Sequence, residues 1–187
     1  MNLSEYTEQA LRTESKIDTV TLNLAELIPL LESFISLTEM LDSLKKKIFY
    51  QNDKKYKETF QKNVSALQNS VAFLKKSNVS ADKEYAEVNV RLLHGIIGVM
   101  TESGELAEIL VKHLLNNSAT IDKVNLEEEV VGDIGWYTAI LVDEFDLDWE
   151  GGLQNNINKL RIRYPEKFSV QAASERNLNL ERKALEK

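Results

Sequence analysis

Four carboxylates stand in two pairs at helical spacing, Glu102 with Glu105 in ESGELAE and Glu129 with Asp133 in EEEVVGD. Residues three or four apart share one face of a helix. Two facing helices would therefore bring four carboxylates into one small volume. Like charges crowded in that way repel unless a cation neutralises them. An all-oxygen donor set selects a hard cation such as Mg²⁺ or Mn²⁺, and a magnesium cluster built on helices points to chemistry on a phosphate ester or anhydride. One such pair is a weak signal, because helices carry many carboxylates and the start of a helix favours anions such as Glu127, Glu128 and Glu129. Two pairs on consecutive helices are more specific.

A second group follows in the chain. Asn156, Lys159 and Arg163 are spaced i, i+3, i+7, with Arg161 nearby. This row could grip a polyphosphate and offset developing negative charge. The plainer reading is a basic helix end that complements the helix dipole. Charge is distributed to match: residues 94–150 hold 13 Asp or Glu against two Lys, a net of −11, and residues 151–187 hold eight Lys or Arg against four Glu, a net of +4. The whole chain is at −7, which argues against a general nucleic-acid binder. The chain has no cysteine, so disulfides, thiolate metal sites and cysteine nucleophiles are excluded. Its two histidines, His94 and His113, are not in Glu-x-x-His, the helical di-iron spacing. His94 reads as a core histidine and His113 as a capping or surface residue. Trp136 and Tyr137 could flank a base, although a core role is the simpler reading. No phosphate-cradling glycine loop and no nucleophile elbow is present.

The elements that must position these residues are helices. Residues 3–14 form an amphipathic helix with Leu3, Tyr6, Ala10 and Leu11 on one side. Residues 24–50 form a long helix in which Leu27, Leu30, Phe34, Leu37, Leu41, Leu44 and Ile48 alternate three and four apart, a heptad seam. Pro29 belongs in its first turn, or marks a kink if the helix starts earlier. QNDKK at 51–55 interrupts the pattern, and Phe60, Val64, Leu67, Val71 and Leu74 resume it. The two runs predict an antiparallel helical hairpin, either a dimerisation or partner arm or an extension of the subunit's own core. After a polar connection at 75–85, a helix over about 86–115 carries Gly95, Gly98 and Gly104, which cost about 1 kcal/mol each relative to alanine. Close helix packing or the approach of a ligand would explain them. Asn116, Asn117 and Ser118 end that helix. Asn125 is the expected N-cap of the next, which runs to about Glu144. A final core helix spans about 153–163, and 169–187 is a charged tail. No strand shows convincing alternation, so the fold class is all-α. The polar N-terminus and the lack of an apolar run of roughly 18 residues give a cytoplasmic protein with no membrane partner as the expectation.

The segments LLHGIIGVMTESGELAEIL, EEEVVGDIGWYTAIL and NINKLRIRYPEKFS resemble the MazG-like all-α nucleoside triphosphate pyrophosphohydrolases, in particular the compact types of phages and bacteria. EYTEQALRT and SERNLNLERKALE are similar to the opening and closing segments of that group. The resemblance covers roughly residues 1–14 and 90–187. It implies a single helical-bundle domain over 1–187, with the heptad hairpin of 15–85 as an insertion. It also implies Mg²⁺-dependent cleavage between the α and β phosphates of (deoxy)nucleoside triphosphates. Glu102 and Glu105 correspond to the family's Glu-x-x-Glu metal ligands and Asp133 to the Asp of its second motif. Asn156, Lys159, Arg163 and Tyr164 correspond to its nucleotide-contacting segment. Family members are usually homodimers or homotetramers.

One departure stands out. The family's second motif is commonly Glu-x-x-Asp, and the residue three before Asp133 is Val130. Glu129 lies four before. In an α-helix these two positions point about 60° and 40° from Asp133, to opposite sides. Glu129 reaches the site if the helix is rotated, or if Val130–Val131 forms a local bulge. Otherwise three carboxylates remain. The expectation is that Glu102, Glu105, Glu129 and Asp133 bind Mg²⁺, with Mn²⁺ as a possible substitute, and carry the chemistry. The alternatives are a dUTP- or dCTP-directed member of the same class, or a non-enzymatic helical protein that docks a partner through residues 24–74.

Overall fold

A computed structural model describes residues 1–50, 56–77, 85–116 and 120–186. The fold is all-α, with one short two-stranded ribbon. In chain order the elements are α1 (Leu3–Leu11), β1 (Val20–Asn23), α2 (Leu24–Tyr50), α3 (Tyr56–Ser77), β2 (Tyr85–Val88), α4 (Val90–Leu115), α5 (Lys123–Glu127), a π-helical turn (Glu128–Asp133), α6 (Ile134–Glu144), α7 (Trp149–Arg163), α8 (Val170–Ser174) and α9 (Leu178–Leu185). The interruption expected at 51–55, most of the polar connection at 75–85, and Asn117 and Ser118 lie outside the described residues. β1 pairs with β2. Four residues are too few for alternation to stand out in a sequence, although Tyr85–Val88 does alternate between exposed and half-buried. Among the described residues no helix is long and apolar enough to cross a membrane.

The chain divides into two compact units, residues 1–20 with 88–153, and residues 21–87 with 154–187. In the first unit α4 and α1 both pack on α6. The Asn89 side chain caps α4 by accepting the Leu92 amide at 2.8 Å. Ile140 and Ala139 of α6 are fully buried. Two of the three α4 glycines permit this packing. A Cβ on Gly98 would stand 2.0 Å from Tyr137 Cδ1, and one on Gly95 would stand 2.6 Å from Leu141 Cγ. Gly104 has nothing within 4 Å of that position, so packing does not account for it. Gly98→Ala is therefore expected to lose about 2 kcal/mol of stability, because overpacking against a ring outweighs a helix-propensity gain of about 1 kcal/mol. Gly104→Ala should gain about 0.5–1 kcal/mol. Urea denaturation of both variants checks the pair, and a stabilised Gly98→Ala would refute the close α4–α6 contact.

Arg91, in the first turn of α4, ties this unit together. Its Nε donates to Glu14 Oε1 at 2.8 Å, and its Nη1 reaches Asp143 Oδ2 at 2.8 Å and Glu144 Oε2 at 3.1 Å. His94 stacks edge-on with Trp136 and Tyr137, each at 5.5 Å between ring centroids. The Trp136 Nε1–H donates to Ala10 O at 3.1 Å and to Thr13 Oγ1 at 2.9 Å. All three rings are half-buried and pack on one another.

In the second unit α2 and α3 pack as the expected hairpin, but on a different seam. The buried residues of α2 are Pro29, Ser36 and Ser43, spaced by seven, and Ser70 is buried on α3. Of the expected apolar heptad of α2, Leu30, Leu37, Leu41, Leu44 and Ile48 are exposed while Leu27 and Phe34 are half-buried; the α3 run is half-buried apart from Val71. Helix α2 begins at Leu24, so Pro29 is its sixth residue and lies past the first turn. The Pro29 carbonyl accepts the Ser33 hydroxyl at 2.7 Å.

The segment expected as a charged tail is packed. Ala184 and Glu181 of α9 are buried. Glu181 accepts Arg163 Nε at 2.9 Å and Arg176 Nη2 at 2.6 Å, and the Arg163 Nη2 also pairs with it. These two arginines hold the Glu181 carboxyl down at about 2.

Candidate metal centre

The four acids reach the first unit from two directions. Helix α4 carries Glu102 and Glu105 one turn apart. Glu102 is buried and Glu105 exposed. The approach to the second pair starts three residues earlier than expected. Asp122, not Asn125, is the N-cap of α5. Its Oδ1 accepts the amides of Val124 at 2.9 Å and Asn125 at 3.4 Å, which draws Asn125 into the helix.

At Glu128 the helix opens into a π turn that closes at Asp133, and the Ile134 N–H bonds to the Glu129 carbonyl, five residues back. Such a turn holds one residue more than its α counterpart. The added residue is taken up at Val130–Val131, and both valines are exposed. Glu129 is thereby brought to the Asp133 side. One carboxylate oxygen from each of Glu102, Glu129 and Asp133 lies within 4.8 Å of the others. The one-residue offset that separates this sequence from Glu-x-x-Asp is absorbed by the bulge. Tyr6 braces the turn from α1, its hydroxyl donating to the Gly132 carbonyl at 3.1 Å.

The electrostatics record the crowding. Glu129 is pushed up to about 7, first by loss of hydration and then by Glu105, Glu102 and Asp133. The side chain as a whole is half-buried, but its Oε2 is closed off from solvent without a hydrogen-bond partner. The Tyr6 and Tyr137 hydroxyls are raised as well, chiefly by burial and next by Asp133 for Tyr6 and by Glu102 for Tyr137. Thr101 lies beside the cluster, its Oγ1 at 3.4 Å from Glu102 Oε1. A buried carboxylate oxygen without a donor, at the meeting point of two further carboxylates, is the arrangement a hard divalent cation completes. Glu102, Glu129 and Asp133 fit that role. Glu105 contributes charge from an exposed position one turn along α4.

The basic row lies in the second unit, on and just beyond α7. Helix α7 begins at Trp149, earlier than the expected 153, with Asp148 Oδ1 accepting the Gly151 amide at 2.9 Å. Asn156 is exposed and Lys159 half-buried. Arg163 is engaged by Glu181 in the geometry with which it would hold a phosphate. The Tyr164 ring lies 5.7 Å from the Arg163 guanidinium and 5.5 Å from the Phe168 ring.

The sequence reading missed Glu181, Arg176 and the role of Tyr6. The only local signal was the acid of an amphipathic terminal segment, and nothing local names a partner 18 or 126 residues away. Compared with family models, curated proteins and solved structures, the chain finds no match.

Proposed function

We propose that this protein is a Mg²⁺-dependent hydrolase of (deoxy)nucleoside triphosphates that cuts between the α and β phosphates, releasing a nucleoside monophosphate and pyrophosphate. The observation that carries the reading is the convergence of Glu102, Glu129 and Asp133 within 4.8 Å, with Glu129 Oε2 buried and unpaired. The likeness of the ESGELAE, EEEVVGD and NINKLRIRYPEKFS segments to the MazG-like enzymes supports the same reaction.

Glu102, Glu129 and Asp133 would hold the cation, with Glu105 next to them. Bound there, Mg²⁺ supplies positive charge for the phosphate oxygens and Lewis acidity for hydrolysis. Glu129, pushed up to about 7 by loss of hydration and the neighbouring carboxylates, must be deprotonated to serve as a ligand. Glu105, exposed on α4 one turn from Glu102, would serve as the base for the attacking water. The resemblance assigns the phosphate contacts to Lys159 and Arg163 of the second unit, and Arg163 would have to exchange the Glu181 carboxylate for a phosphate to serve. The setting this reading supposes is the cytoplasmic nucleotide pool.

Product analysis with Mg²⁺ and each of the eight common ribo- and deoxyribonucleoside triphosphates tests the proposal. Monophosphate and pyrophosphate are expected from one or several. Diphosphate with orthophosphate would overturn the cleavage position. No product with either Mg²⁺ or Mn²⁺ would overturn hydrolysis of these eight nucleotides and move the reading to a modified nucleotide or to the docking protein.

A further inference from the structure

We infer that α2 is a self-association surface: two copies of this chain pair antiparallel through the apolar stripe Leu30, Leu37, Leu41, Leu44 and Ile48. These five residues are between 37 and 63% exposed, although their three-four spacing is that of a helix seam. The hairpin's own packing leaves them out. Helix α3 lies against Pro29, Ser36 and Ser43, which are buried, and that seam is about 110° around the helix from the stripe. One helix thus carries two parallel heptads. The small one is used within the chain, and these five residues of the large one face outward.

Area and charge both select a second copy as the occupant. Taking about 200 Å² for a fully exposed large side chain, the stripe leaves on the order of 500 Å² open per chain. Two copies together bury about 1,000 Å² before their polar margins are counted, which is where specific interfaces begin. A stripe that repeats every seven residues is complementary to itself about a two-fold axis. Glu26 flanks the stripe at its N-terminal end and Lys45 and Lys47 flank it at its C-terminal end, Lys45 also pairing with Asp42 and Lys47 lying over the Tyr56 ring within the chain. Parallel pairing would bring like charges of the two copies together at each end. Antiparallel pairing, with Leu27 opposite Ile48 and the axis near Leu37, sets Lys45 and Lys47 of each copy towards the other copy's Glu26. The inference stands whatever chemistry the acidic centre performs.

The full chain should sediment at 42.6 kDa, twice its 21.3 kDa, at micromolar concentration. Leu37→Glu combined with Leu41→Glu should sediment as a single chain with unchanged helical circular dichroism. A wild-type protein at 21.3 kDa overturns the inference and gives the stripe to a different partner. A variant that stays dimeric overturns it by placing the interface elsewhere. If the double variant unfolds, single cysteines decide, since the chain has none of its own. With a short bis-maleimide, Leu37→Cys should link to its counterpart near the axis. Ile48→Cys should not, because the two residues 48 stand about 30 Å apart in the antiparallel pair. Linking through residue 48, or through neither residue, overturns the arrangement.

Discussion

Glu129→Gln is expected to weaken Mg²⁺ binding by about 100-fold or more and to remove turnover with it, since loss of even an outer partner of a metal ligand typically costs about 10–100-fold. Glutamine keeps the shape of the side chain and removes the charge that makes it a ligand for a hard cation. The neighbouring Glu128 is exposed and outside the cluster, so Glu128→Gln should bind Mg²⁺ as the parent does. Calorimetric titration with Mg²⁺ reads both variants independently of turnover. Equal affinity in Glu129→Gln and the parent would remove Glu129 from the site. A third variant isolates the π turn. Deleting Val131 takes away the residue the bulge accommodates and leaves the acids three apart in a regular helix, where they share a face. That deletion should retain Mg²⁺ binding, whereas Val131→Ala, which keeps the bulge, should leave binding unchanged. If the deletion abolishes binding without unfolding the protein, the turn does more than correct a register.

Glu181→Ala should lower stability by about 3 kcal/mol, the scale on which one side of a buried ion pair is missed. Its carboxylate is 3% exposed and is shared by Arg163 and Arg176. Removing it leaves Arg163, itself mostly enclosed, without its anion. The pH dependence has a definite sign. The folded value is depressed to about 2 from 4.5. The stabilisation is therefore complete above about pH 4.5 and is lost as pH falls from there towards 2. Urea denaturation of the parent and of Glu181→Gln should give a gap that is constant from neutral pH down to about 5 and closes below it. A gap that persists at pH 2.5 would show that shape rather than charge holds α9. Arg163→Ala in a Glu181→Ala background should add less than it costs alone, because both act on one pair.

These two cases show what a one-dimensional reading can and cannot reach. The bounds of α2 follow from local periodicity and were legible to the residue. The helix expected over about 86–115 was legible except at its start, where Tyr85–Val88 forms β2 and the helix begins at Val90; the pairing of Glu102 with the Glu129–Asp133 segment was legible too. Which heptad of α2 faces α3 was not legible, because apolar spacing states that a seam exists and not which neighbour it meets. Small buried serines leave no hydropathic trace. The bulge at Val130–Val131 was visible only as a mismatch of one residue between two carboxylates. Its resolution depends on Tyr6 and the packing of α6, which are distant in sequence. The partly helical character of 169–187 was legible from propensity, but the α9 clamp was not, because a charged amphipathic segment reads as solvated surface until a specific arginine closes on it.

The bond from the Tyr6 hydroxyl to the Gly132 carbonyl spans 126 residues, and this separation orders events in time. During synthesis α1 is made before the π turn and α6, so Tyr6 has no partner there until they have followed. Closing so long a loop costs chain entropy that only the finished contact repays. A chain halted before Gly132 carries Glu102, Glu105 and Glu129 but neither Asp133 nor the carbonyl that Tyr6 holds.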